Sequence, residues 1–167
     1  DFAGSQSEST PDYTSYNLNN AKSGAIEFVN PLILSYFNFK FSLSQGTALN
    51  SFTVVLTDYY NKNNEIRIKF ADAVTVNGRE IRFTDNYVGS PVSITYDSSK
   101  TLSVGSSMTA FATDFTSEKV LLSVEFENIT ANGQFNVYSV CGQSFGYYVK
   151  NDTILPMVYA EGIERVG

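Results

Sequence analysis

From Leu34 to Leu43 the chain alternates cleanly: Phe37, Phe39, Phe41 and Leu43 hold one parity, Tyr36, Asn38, Lys40 and Ser42 the other. A period of two places the first set on one face of a strand and the second on the opposite face, one apolar and one wet. The same alternation returns at Phe52, Val54, Leu56, Asp58 and Tyr60, and again where Ile66, Ile68 and Phe70 interleave with Glu65, Arg67 and Lys69. Asn61-Lys62-Asn63-Asn64 separates those two arms. The pattern predicts an antiparallel hairpin whose tip is a multi-residue loop rather than a tight two-residue turn. Such a hairpin cannot bury its apolar face alone, so it demands a second sheet.

The rest of the chain supplies one. Gly24 to Val29 reads as a short strand closed by Asn30-Pro31. Asn77-Gly78 sits between two alternating runs, the strongest short-range hairpin signal, because a type I′ turn needs positive φ at both positions. Val92–Tyr96 and Thr101–Val104 form a third hairpin around Asp97 to Lys100. Val120, Leu122, Val124 and Phe126 make another inward stripe with Ser123, Glu125 and Glu127 opposite. Asn132-Gly133 then turns into a strand from Phe135 to Val140, and Ile154 to Ile163 reads as the last. No segment holds a helical period. About eleven to thirteen short strands predict an all-β fold, a two-sheet antiparallel β-sandwich of jelly-roll type. Asp1 to Thr14 is polar and aperiodic, so residues 1–22 read as a linker or leader and 23–167 as the sandwich domain.

Composition adjusts this picture little. Thirteen Phe and 11 Tyr suit pleated surfaces. A net charge of −6 argues against nucleic acid, whose phosphates need Lys and Arg. No apolar run approaches the roughly 20 residues that a membrane-spanning helix requires. The first residue is Asp, with no initiator Met or signal peptide, as expected of a piece of a longer chain with neighbouring domains. Cys141 is single, so it reads as a small buried hydrophobe. The chain contains no His, which removes Ser-His-Asp and Cys-His catalysis.

The order of elements carries a resemblance. A strand ends in Leu56-Thr57-Asp58, then come a charged return strand, an Asn-Gly hairpin, and the run Ile94 to Val104 with its Tyr96-Asp97 and Lys100. A Leu122-to-Glu125 strand, a second Asn-Gly turn and a terminal strand entered through Asp152 and Pro156 follow. This resembles the concanavalin A-like, laminin G-like domains of bacterial surface and secreted proteins. The resemblance implies an extracellular, lectin-like module with a structural calcium in many members. It leaves open a protein-binding adhesin or spacer role, with a host or cell-surface protein as partner, and a hydrolase or lyase on the same fold.

Glycan recognition needs a flat aromatic face for the sugar ring and amides or charged groups for its hydroxyls. Tyr36, Asn38, Tyr59, Tyr60, Arg67, Asn136 and Tyr138 are the candidates, with Lys40 beside them. Asp58 stands on an otherwise apolar parity near the hairpin tip. Either it accepts loop amide hydrogens or, with Asp152, it supplies oxygen to calcium; Asp97 and Glu27 are weaker donors. Glu125 and Glu127 lie two apart on one strand, roughly 6.5–7 Å at the backbone. Retaining glycosidases need about 5–5.5 Å between carboxyls. With no third acid at position 123 or 129, a solvated strand face is the expected reading.

Overall fold

The alternation folds into two antiparallel sheets whose apolar faces meet. The computed structural model describes residues 13–18, 23–47, 51–112, 115, 118–127, 133–140, 143–144, 158–161 and 164–166. Its strands are β1 (Thr14–Asn17), β2 (Ser23–Ile33), β3 (Asn38–Leu43), β4 (Phe52–Asp58), β5 (Asn61–Phe70), β6 (Val74–Val76), β7 (Arg79–Ile81) and β8 (Val92–Tyr96). They continue with β9 (Thr101–Val104), β10 (Ser107–Ala112), β11 (Lys119–Glu127), β12 (Gln134–Val140), β13 (Gln143–Ser144), β14 (Val158–Glu161) and β15 (Glu164–Val166). Sheet A runs β10-β9-β8-β3-β12-β1-β15, with β13 also on β12; sheet B runs β14-β2-β11-β4-β5-β6-β7. This is the expected two-sheet antiparallel sandwich.

Aromatic rings fill the space between the sheets. Phe41 of sheet A lies 5.4 Å from Phe70 and 5.8 Å from Phe52 of sheet B, while Phe52 and Phe70 stack at 4.9 Å. Phe135 on β12 meets Phe126 on β11 edge-on at 5.4 Å. The two stripes at Phe37 to Leu43 and Val120 to Phe126 are wholly buried. Each such ring contributes about 1.5–3 kcal/mol through burial.

Several boundaries differ from expectation, each for a local reason. Thr14–Asn17, inside the stretch read as a leader, pairs with β12 and β15, and Tyr16 is buried in the core. β2 does not stop at Asn30-Pro31. It bulges between the partners Leu122–Phe28 and Val120–Leu32, and β14 pairs only its Ala25–Phe28 part. Pro31, lacking an N–H, therefore sits at a bulge beyond that pairing, where no ladder bond is lost. Leu34–Tyr36 is a 3-10 turn, not the start of a strand, and it carries the chain from sheet B to sheet A. The last predicted strand overlaps β14, and the rest of it lies outside the described residues.

The β4–β5 hairpin also differs. Asp58 pairs with Asn61, so the tip is a tight turn of Tyr59 and Tyr60, and Asn61–Asn64 belongs to the strand as a bulge. The Asp58 Oδ1 accepts the Tyr60 N–H at 3.1 Å, an Asx-type lock that fixes the turn there. Neither tyrosine has the positive φ of a hairpin-matched turn, so the ladder slips between Thr57 and Asp58 to recover its twist. At Asn77-Gly78 the positive φ values, 50° and 82°, are present as expected, and register is kept.

Candidate functional site

Strand parity decides which face each candidate occupies, and the two sheets point their wet faces in opposite directions. On sheet A, β3 turns Asn38, Lys40 and Ser42 outward; β8 adds Ser93 and Thr95, paired with Lys40 and Asn38, and Ser103 on β9 pairs with Thr95. On β12 the partners are Val137–Phe41 and Ser139–Lys40, so Tyr138 is an inserted residue at a β-bulge. The bulge keeps Phe135, Val137 and Val140 buried while Tyr138 and Ser139 both stay on the outer side.

A hydrogen-bonded ladder underlies this face. Ser15 donates to the Asn136 Oδ1 at 2.6 Å, and the Asn136 Nδ2 donates to Ser42 at 3.3 Å. Ser42 and the Tyr138 hydroxyl share a bond of 3.2 Å. Asn136 is only 5% exposed and Ser42 1%. Buried amides and hydroxyls persist only when paired, and here each partner satisfies the next. Above the ladder Tyr13 packs on Tyr138 with ring centroids 5.0 Å apart, and the Lys40 ammonium stands 5.8 Å from the Tyr138 ring centre. Ser139 donates to the Asn38 Oδ1 at 2.8 Å, which orients that amide at the surface. The result is an aromatic ring, an oriented amide, a hydroxyl and one ammonium on a rigid support.

Sheet B carries a different face. Arg67 on β5 donates to Glu125 on β11 across the intervening β4, and to Glu65 at 3.3 Å. Val55, the cross-strand partner of Arg67, has the same outward parity and is buried. Burial works against the Arg67 charge, but bonding and attraction from Glu125 and then Glu65 outweigh it and hold its pKa above the ordinary value. A groove of about 200 Å³ beside this pair is lined by Thr53, Lys69 and Glu127 as well.

The seven candidates therefore do not form one platform. Asn38 and Tyr138 share the outer face of sheet A, Asn38 bonded to Ser139, the residue after Tyr138. Asn136 lies beneath them as a buried support rather than a contact. Tyr36 is 73% exposed on the 3-10 turn that leads into β3. Arg67 belongs to the opposite face and is held by two carboxylates. Tyr59 and Tyr60 form the sheet B hairpin tip, edge-to-face at 5.1 Å, with Lys62 over Tyr59. Tyr60, expected on the apolar parity, is exposed because the tight turn ends that parity at Asp58.

Asp58 is fully buried, and its carboxylate locks the turn, the first of its two expected roles. Asp152, its proposed calcium partner, lies outside the described residues, as does Cys141. Among the described residues no group of three or more His, Cys, Asp or Glu is placed to hold a metal ion. Asp97 is occupied by its own turn, accepting from Ser99 and Thr101.

Sequence reading missed Tyr13 and Ser139. Tyr13 stands in the supposed leader and gives no signal. Ser139 did have one: the apolar spacing Phe135, Val137, Val140 breaks period two, which marks a bulge. Comparison with known proteins adds no identity: no family model, no curated protein and no solved structure matches this chain.

Proposed function

We infer that the domain is a non-catalytic carbohydrate-binding module that takes an uncharged sugar chain on the outer face of sheet A. The observation that carries this reading is the bulged Tyr138 ring on the same face as the Asn38 amide, which its neighbour Ser139 orients, where the described strands β9, β8, β3 and β12 turn no carboxylate outward. The ring offers an apolar plane for a pyranose, and the Asn38 Nδ2 and Ser139 offer partners for its hydroxyls. Stiff support beneath the ring keeps the entropy lost on binding small. The resemblance to laminin G-like domains of extracellular bacterial proteins favours the same reading and a place outside the cell. Asp58 needs no metal in this account, and Glu125, paired with Arg67, is assigned no catalytic step.

Affinity electrophoresis through gels of neutral polysaccharides tests the proposal. Retardation by at least one polysaccharide is expected, weakened about tenfold in Tyr138→Ala, on the scale of one lost stacking contact. Tyr60→Ala should leave it unchanged. No retardation by any glycan would leave the adhesin or spacer reading in its place.

A further inference from the structure

Where the chain leaves sheet B for sheet A, it builds a cleft that belongs to neither outer face. Arg79 and Arg82, at and just beyond β7, form one wall; Ser106 and Met108, at the start of β10, form the other. Its volume is about 690 Å³, against about 370 and 200 Å³ for the two hollows on sheet B, and it falls in the range of small-ligand sites.

The walls are fixed to each other. The Asp85 carboxylate accepts the Ser106 N–H at 2.7 Å and its hydroxyl at 3.0 Å, and Ser107 donates to the Arg82 carbonyl. Gly105, at φ +58°, makes the bend that brings Ser106 to Asp85. These stitches hold the 82–85 segment alongside the first residues of β10, so an extended peptide finds no straight free edge there to join as an added strand. What remains carries hydroxyls, with Thr84 and Ser106 exposed, and apolar surface from Ile81 and from Met108, which is 74% exposed. The charges at the cleft balance, Arg79 and Arg82 against Glu80 and Asp85, but the Asp85 carboxylate is spent on the Ser106 N–H and hydroxyl, whereas both arginines line the cleft itself.

We propose that this cleft binds an acidic saccharide, with Arg79 and Arg82 receiving the carboxylate of a uronic acid unit. A guanidinium presents a planar fork of donors that matches a carboxylate. It has five N–H groups, so contact with a neighbour still leaves donors for a ligand. Thr84 and Ser106 serve the sugar hydroxyls, and Met108 serves a ring face. The site is separate from the Tyr138 face and does not depend on it.

Titration calorimetry of the intact chain with tetragalacturonate at low ionic strength tests this. Binding is expected, with affinity falling as salt is added and no heat from the methyl-esterified tetramer. The Arg79→Gln, Arg82→Gln double variant should bind about tenfold more weakly at an unchanged melting temperature, since both side chains are exposed. Glu80→Gln should bind about two- to threefold more tightly by removing a like charge. Tyr138→Ala should have no effect. The proposal is overturned if tetragalacturonate fails to bind at millimolar concentration, or binds the double variant equally well. Equal affinity for tetraglutamate would replace the saccharide with generic anion or peptide binding, and loss of binding in Tyr138→Ala would move the acidic sugar to sheet A. Either result also overturns it.

Discussion

The outer faces of the two sheets are built by the same period-two alternation over the same aromatic core, yet they solve the solvent problem differently. Sheet B turns out Glu27, Glu65, Arg67, Lys69, Glu125 and Glu127, which stay partly or fully exposed, with Arg67 paired to both Glu65 and Glu125. Over β9, β8, β3 and β12, sheet A turns out Ser, Thr, Asn and Tyr with Lys40 as the charge among them, and the sheet draws part of its polar set out of water: Ser15, Ser42 and Asn136 are all buried. Exposed ion pairs are worth little and tolerate change, because water replaces a lost partner. A buried neutral ladder tolerates little, because a lost partner leaves an orphan. The face that resists substitution is thus also the one that can hold a ring and an amide in fixed positions.

The sharpest break of this contrast is Asn136→Ala. It strips the acceptor from Ser15 and the donor from Ser42, and should cost about 2–3 kcal/mol in urea unfolding. A cost near zero would mean that water enters the ladder freely and that Tyr138 lacks firm support. Arg67→Met is the matched change on sheet B. It keeps an unbranched apolar stem opposite Val55, removes an ion pair that is partly exposed, and should cost less than about 1 kcal/mol. Half-molar salt should shrink that difference further, whereas the Asn136→Ala deficit should not respond to salt. A salt-insensitive Arg67 deficit as large as that of Asn136 would erase the distinction between the faces.

Parity alone explains why the core was readable and the site was not. Phe37, Phe39, Phe41 and Leu43 announce their burial because every second residue is large and apolar, and Asn77-Gly78 announces its turn because few other pairs accept its φ values. Alternation says whether a side chain points in or out; it does not say which sheet it belongs to. Arg67 and Tyr138 both read as outward, so they looked like parts of one surface when a whole core lies between them. The tip at Tyr59-Tyr60 was hidden because Asn61 to Asn64 has loop composition, while the deciding interaction is a single carboxylate bond from Asp58. β1 was hidden because four residues with one large apolar side chain, Tyr16, carry no period, and its pairing with β12 spans more than a hundred residues of sequence.

Acid should separate the two sheets most gently. At the β8–β9 turn of sheet A, Asp97 accepts from the Ser99 hydroxyl and from the Thr101 and Ser99 amides, the hydroxyl bond being the largest influence, and its pKa lies below the ordinary 3.8. A carboxyl whose folded pKa is depressed contributes stability that is fully present above its unfolded pKa and is lost as pH falls through the folded value. The Asp97 contribution should therefore hold from neutral pH down to about 4 and fade below it. Arg67 on sheet B has the opposite sign: its raised pKa gives a contribution lost only as pH rises past the ordinary arginine range. Melting curves of the protein and of Asp97→Asn, taken from pH 7 to pH 2, should show a small gap that is constant above pH 4 and closes below it. Because Asp97 is fully exposed, the gap should be modest and confined to this hairpin. A gap that instead widened in acid would mean that the protonated carboxyl, not the carboxylate, caps the turn.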